Sequence, residues 1–178
     1  KETTRSIGIN YIVTEYKIPI YLKILDFYDR HYNYKYIVKN INKNVNNERD
    51  IILNTTKWIK KNIKKIPEGI DIVDHHPLTI IERGLAVNDQ FSDLLSIFLV
   101  YSDIDSFFIS KFNNFGHSLT FFKINDYWSI IDPYYGVIFT NIDDFFASIE
   151  DIKSGKWQIS NLEFEKIDRS NFKYFFEN

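Results

Sequence analysis

Within the middle of this chain the hydrophobic period changes at Tyr101, and that change sets the broad fold class. Before it, Ile52, Thr55, Ile59, Ile63 and Ile66 recur at three- and four-residue spacing until Pro67 and Gly69 interrupt. This predicts a helix from about Glu48 to Lys65, started by an Asn46 or Asn47 cap in an asparagine-dense loop. A second helix is signalled by Asn88 and Asp89 ahead of Phe91, Leu94, Leu95 and Phe98, with Asn88 at the N-cap. After Tyr101 the pattern shortens to β-type runs, Phe107 to Ile109, Ser118 to Ile124, Trp128 to Ile131 and Val137 to Thr140, separated by Asn, Asp, Gly and Pro. Helices followed by strands argue for an α+β fold, N-terminal helices packed on an antiparallel sheet, rather than alternating βαβ units.

The flanks are less regular. Ile7, Ile9, Tyr11 and Val13 alternate, which favours a strand or extended arm over residues 1 to 19. Tyr21 to about Asn40 is aromatic-rich and fits helix or strand. Residues 143 to 150 read as one more short helix before a polar tail that ends in the aromatic run Phe172 to Phe176. At 178 residues the chain reads as a single domain, 1–178, with a core at about 50–140 and extensions at 1–45 and 141–178.

Composition removes several kinds of chemistry. There is no cysteine, so neither a disulfide, a thiolate metal site nor a cysteine nucleophile can form. A formal charge of -2 offers nucleic acid no general foothold. Lys57, Lys60, Lys61, Lys64 and Lys65 read as the solvated face of the first helix. No run of eighteen apolar residues and no signal-peptide pattern stands out, so no membrane partner is expected and a cytoplasmic location is the default. The chain begins at Lys1 without methionine, which points to an initiator or upstream part lying outside this sequence. The excess of Tyr and Phe with Ile, Lys and Asn fits the codon bias of an AT-rich genome.

RGLAVNDQFSDLLSIFL, followed by GHSLTFFKI and YWSIIDPYYG, resembles the core of the transglutaminase-like superfamily, of papain-like fold, over roughly Asp50 to Thr140. In that family a glycine-led turn sets a cysteine at a helix start, a histidine opens a strand, and an aspartate ends the next, commonly between Trp and Pro. Arg83, Gly84, His117, Trp128, Asp132 and Pro133 match that order. Many bacterial members read Cys-Asp-Gln at the helix start, where this chain reads Asn88, Asp89 and Gln90. The resemblance therefore implies His117 and Asp132 as the retained catalytic pair and Asn88 at the nucleophile position. A helix N-terminus lowers a thiol's pKa and stabilises an oxyanion, a histidine moves the proton, and a carboxylate fixes its tautomer.

Register gives a test. With Asn125 and Asp126 as a two-residue turn, Ile124 faces Tyr127, Leu119 faces Asp132, and His117 lies diagonal to Asp132 on the same face. A His117 to Asp132 hydrogen bond follows, and a three-residue loop would put the two on opposite faces.

Asparagine is no nucleophile at neutral pH, so the favoured reading is an impaired enzyme, or pseudoenzyme, that binds in the old cleft. The alternative is a hydrolase or acyl-transfer enzyme in which Asp89, Ser92 or a His117-activated water attacks. A third reading takes Asp71, Asp74, His75 and His76 as ligands of a metal-dependent hydrolase, although adjacent histidines point apart and surface histidines explain them better. Gln90, Tyr134 and Tyr135 are candidate substrate contacts, since aromatic walls suit a peptide, protein or saccharide ligand. Trp128 reads as core and hairpin packing, and His31 as packing or capping. No cofactor is expected, and the sequence leaves the oligomeric state open.

Overall fold

The computed structural model describes residues 3–7, 12–16, 18–67, 69–70, 75–111, 117–162, 167, 170, 172 and 176. By internal packing the chain falls into two units, Lys1–Lys35 and Tyr36–Asn178. The first contains an antiparallel hairpin of β1 (Thr3–Ile7) and β2 (Ile12–Tyr16), within the stretch expected to be a strand or extended arm, while Ile9 and Tyr11 of the expected alternation lie outside the described residues. It also holds most of α1 (Ile20–Ile41), which resolves the aromatic-rich stretch as helix and crosses into the second unit.

In the second unit α2 (Glu48–Asn62) starts where the asparagine-dense loop predicted. Asn47 is its N-cap, and the Asn47 side-chain oxygen accepts the Asp50 N–H at 2.8 Å. The helix stops earlier than its periodicity suggested. Lys64–Lys65 form β3, paired in parallel with β4 (Leu85–Ala86), because Lys64 N–H donates to Gly84 O and Ile66 N–H to Ala86 O. Between them lies α3 (Pro77–Arg83), a helix the apolar pattern did not reveal. It ends at Gly84, whose φ of 66° is the left-handed cap that glycine adopts without a Cβ penalty. That turn leads straight to α4 (Asn88–Val100).

The sheet has the order β5-β6-β7-β8-β9, formed by Ser106–Lys111, His117–Ile124, Tyr127–Asp132, Val137–Thr140 and Gln158–Asn161, with every neighbouring pair antiparallel. The β6–β7 turn is the two-residue one: Asn125 and Asp126 take φ of 47° and 66°, and Ile124 pairs with Tyr127. Two consecutive left-handed residues give the turn whose twist matches the strands it joins.

One sheet face carries Ser118, Thr120 and Phe122 toward α4. Ser92 Oγ donates to Ser118 O at 2.9 Å, and Thr120 Oγ1 donates to Ser92 O at 3.1 Å. Trp58 of α2 meets Phe98 of α4 at 5.8 Å, which closes the layer above. The other face carries Leu119, Ile130, Val137 and Phe139 into a core completed by Ala147, Ile152, Trp157 and Phe172. The short helix expected over residues 143 to 150 is displaced. Residues 142–147 form a turn with Asp144 at φ 60°, and α5 (Ile149–Lys153) begins after Ser148, whose hydroxyl caps Asp151 N–H.

Candidate functional site

Three chain segments converge at the start of α4. Asn88 is the first helical residue and not the N-cap expected from sequence. Val87, extended at φ -96° and ψ 174°, holds the cap position. The reason lies in where the polar side chains go. Asn88 Oδ1 accepts the backbone N–H of Ser118 at 3.2 Å, a tie across 30 residues to the start of β6. Helix capping passes to its neighbours, with Asp89 Oδ1 accepting Gln90 N–H at 2.9 Å and Gln90 Oε1 accepting Val87 N–H at 3.2 Å.

Gln90 is buried and its amide orientation follows from its bonds. Its oxygen also accepts from an Arg83 guanidinium nitrogen at 3.0 Å, so its nitrogen must be the donor to His75 Nδ1, 3.0 Å away. A neutral His75 therefore carries its proton on Nε2. Arg83 Nε in turn donates to Leu85 O at 2.7 Å, which locks the glycine turn ahead of α4.

Asp132 ends β7 fully buried, and its Oδ1 accepts Tyr135 N–H at 3.0 Å. The turn after it is held from the helical layer. Lys60 Nζ donates to Tyr134 O at 2.6 Å, and the Tyr134 ring meets Phe91 edge-on at 5.4 Å and Tyr135 at 4.9 Å. Lys65 Nζ lies 4.3 Å and 4.6 Å from the two tyrosine ring centres. Lys60 is buried with its ammonium 5.7 Å from the Phe91 ring, which corrects the solvated-face reading of this lysine. The signal was its place one residue after Ile59 and four after Thr56, on the buried stripe of α2. Lys64 and Lys65 lie on β3, not on the helix.

Asn88 is thus tied to the start of β6 and Tyr135 to the end of β7, Tyr134 packs on Phe91 of α4, and Gln90 is held by Arg83, Val87 and His75. Thr120 pairs with Ile131, so continuation of the ladder puts Leu119 opposite Asp132 and position 117 two residues further along β6. The backbone of His117 pairs with Lys111. The His117 side chain, and with it the expected bond to Asp132, lies outside the described residues.

The other candidates find structural work. Ser92 is fully buried with its hydroxyl on Ser118 O. His76 caps α3, its Nδ1 accepting Leu78 N–H at 3.3 Å, and His75 serves Gln90. Asp71 and Asp74 lie outside the described residues, and among the described residues no three His, Cys, Asp or Glu side chains are grouped to hold a metal ion. Trp128 is more exposed than a core reading predicts, packing edge-on to Phe107 at 5.1 Å. His31 stacks on Phe27 at 6.0 Å. A recess of about 180 Å³ lined by Glu48, Asp103, Asp105, Lys123 and Asp126 sits at the Asn125–Asp126 turn, the far end of the hairpin from Asp132.

Two groups are shifted by their surroundings. Burial pushes the Asp93 carboxyl, one turn beyond Asp89, above the usual carboxylate range, and the Asp89 charge adds to it. Burial also raises the Tyr127 hydroxyl, with Asp151 adding and Arg49 opposing.

Taken together, the architecture is α+β, with helices laid on an antiparallel sheet and polar side chains converging on one helix start. It is similar to the solved "Putative Cysteine Protease from Cytophaga hutchinsonii", with a TM-score of 0.52 at 14% identity, covering 74% of this chain and 47% of that one. This chain therefore spans about half of that protein's length, and the likeness is one of fold. A "putative protease from Parabacteroides distasonis ATCC 8503" is also similar, with a TM-score of 0.45 at 14% identity over 56% of this chain and 23% of that one. No known family model and no curated protein matches the chain. No helix among the described residues is long and apolar enough to cross a membrane.

Proposed function

We propose that this chain is a transglutaminase-like domain of papain-like fold that has lost its nucleophile and acts by binding a peptide, protein or saccharide in the former catalytic cleft. The observation that carries the reading is Asn88. It occupies the first turn of α4, where the family's cysteine would sit, and its side-chain oxygen is engaged by the Ser118 N–H. With no cysteine in the chain, no thioester can form. In this reading His117 meets Asp132 across the β6–β7 pair as the remnant of the proton relay and Tyr134 and Tyr135 line the ligand cleft, while Gln90, buried and bonded to Arg83, Val87 and His75, holds the helix start rather than the ligand. The two-residue turn supports the pair itself, because that register gives positions 117 and 132 a common parity, that of Leu119 and Val137, so the reach of His117 to Asn88 on α4 is what a thiol at position 88 has to report.

Asn88→Cys tests the proposal. A thiol set at a helix start beside a paired histidine reacts with iodoacetamide well below the pH at which an exposed cysteine does. A bell-shaped or acid-shifted rate profile that disappears with His117→Ala supports the inherited site. A profile like that of a free thiol would overturn it. The parent chain, assayed on amide and ester substrates, is expected to show no turnover that depends on His117. Turnover that does would favour the water-attack alternative.

A further inference from the structure

Among the described residues, the first helix leaves an apolar face exposed. Along α1, Ile20, Ile24 and Phe27 recur at four- and three-residue spacing, and the same row continues through His31 to Tyr34 and Val38. Tyr34 and Val38 are buried, whereas Ile20, Ile24 and Phe27 are about half exposed or more. Beside that row runs a second, Tyr21, Leu25, Tyr28 and Tyr32, which are 60, 61, 51 and 64% exposed. At 100° per residue the two rows form one continuous apolar sector. The charged side chains Lys23, Asp26, Asp29 and Arg30 fall on the opposite side. There Arg30 pairs with Asp26 at 2.9 Å, and Asn33 donates to Asp29 Oδ1 at 3.1 Å.

We propose that this face of Ile20–Tyr32 is a homodimer surface, docking on the same face of a second copy of the chain. Two observations select that occupant. The first is area: seven large apolar side chains exposing on the order of 100 Å² each present roughly 700 Å², near the ~800 Å² per partner that a stable interface uses and beyond the usual largest patch of a monomer. The second is charge. The polar side balances two acids against two bases and has no basic stripe, which disfavours an anionic lipid surface or a highly charged protein. The alternating four and three spacing is the seam that an identical helix fits, knobs into holes.

Sedimentation velocity on the full chain over a concentration series reads the mass directly, against 21.3 kDa for one copy. A concentration-dependent dimer is expected. Leu25→Glu with Tyr28→Glu should weaken association by on the order of a hundredfold without loss of helical circular dichroism, because these side chains are uncovered in the single chain. The absence of native cysteine supplies a second readout. Tyr28→Cys should crosslink two chains under oxidised glutathione, whereas Ile142→Cys, on the other unit and 74% exposed, should not. A chain that stays single at every concentration, with Tyr28→Cys crosslinking no faster than Ile142→Cys, overturns the proposal. Binding of a single-mass chain to phosphatidylglycerol vesicles that the same Glu substitutions abolish would overturn it in favour of a membrane surface.

Discussion

Asn88 and Ser118 are joined by a side-chain to backbone hydrogen bond of 3.2 Å, so the first turn of α4 is fastened to the second residue of β6. Without it the Ser118 N–H loses its acceptor. Asn88→Ala is therefore expected to lower stability by about 1 to 3 kcal/mol, the cost of leaving a buried donor unsatisfied. Asn88→Asp keeps an acceptor and adds a negative charge at a helix N-terminus, and should hold or exceed the parent's stability. Urea denaturation of the three proteins gives the order. If Ala and Asp behave alike, the bond contributes nothing.

Lys60 offers a second test because its stem and its ammonium do different things. The stem lies on the buried stripe of α2, and the ammonium donates to Tyr134 O, which steadies the turn that follows Asp132. Lys60→Met keeps most of the packing and loses a charged hydrogen bond of about 1.5 to 3 kcal/mol, partly offset because no ammonium need be desolvated. Lys60→Ala loses the stem as well. The expected order of denaturation midpoints is parent, then Met, then Ala, with the near-ultraviolet signal of Tyr134 and Tyr135 weakened in both variants. A Met variant more stable than the parent would show that desolvation outweighs the bond.

Four of the five sheet strands and the helices α2 and α4 were readable because their apolar spacing is a direct projection of which side faces the core, whereas β9 lies in a stretch that reads as a polar tail. The β6–β7 register was legible for the same reason, Asn125 and Asp126 being residues that tolerate two successive left-handed conformations. Helix α3 escaped because seven residues give too few repeats to show a period. Its marks were punctuation, with Pro77 at its first position and Gly84 past its end. Asn88 was misjudged as a cap because capping preference is a local property, and here a tertiary partner, Ser118 N–H, outbids the local one. The place of Lys60 beside Ile59 marks its stem as buried, but the partner of its ammonium, Tyr134 O, arrives from 74 residues away and no local pattern encodes it.

The β6–β7 turn can be improved. Asp126 sits at φ 66°, a region in which glycine has no Cβ penalty, and its ion pair to Lys123 at 3.3 Å is made by a side chain that is 98% exposed and adds little. Asp126→Gly creates the Asn-Gly pair this turn type favours and should stabilise by about 0.5 to 1 kcal/mol. Inserting one glycine after Asp126 should do the opposite, because a one-residue shift moves Thr120 and Phe122 off the face that meets α4. Thermal melts separate the two effects, and an insertion that melts with the parent would show that the register is not set by this turn.

Asp93 makes stability depend on pH in an identifiable direction. Burial and the Asp89 charge raise its carboxyl pKa in the folded chain above the ordinary 3.8, so between those two values the folded state binds more protons than the unfolded one. Stability must then fall as pH rises through that window, the reverse of a salt-bridged carboxylate, and the loss is complete once pH exceeds the folded pKa. Asp93→Asn removes both the partly buried charge and its repulsion with Asp89. The variant should melt higher than the parent at pH 7, and the gap should shrink toward zero as pH is lowered to 3.8 and below. Paired melting curves from pH 3 to about pH 7 decide it, since a gap that is constant across that range would assign the effect to packing and leave Asp93 without a role in the acid response.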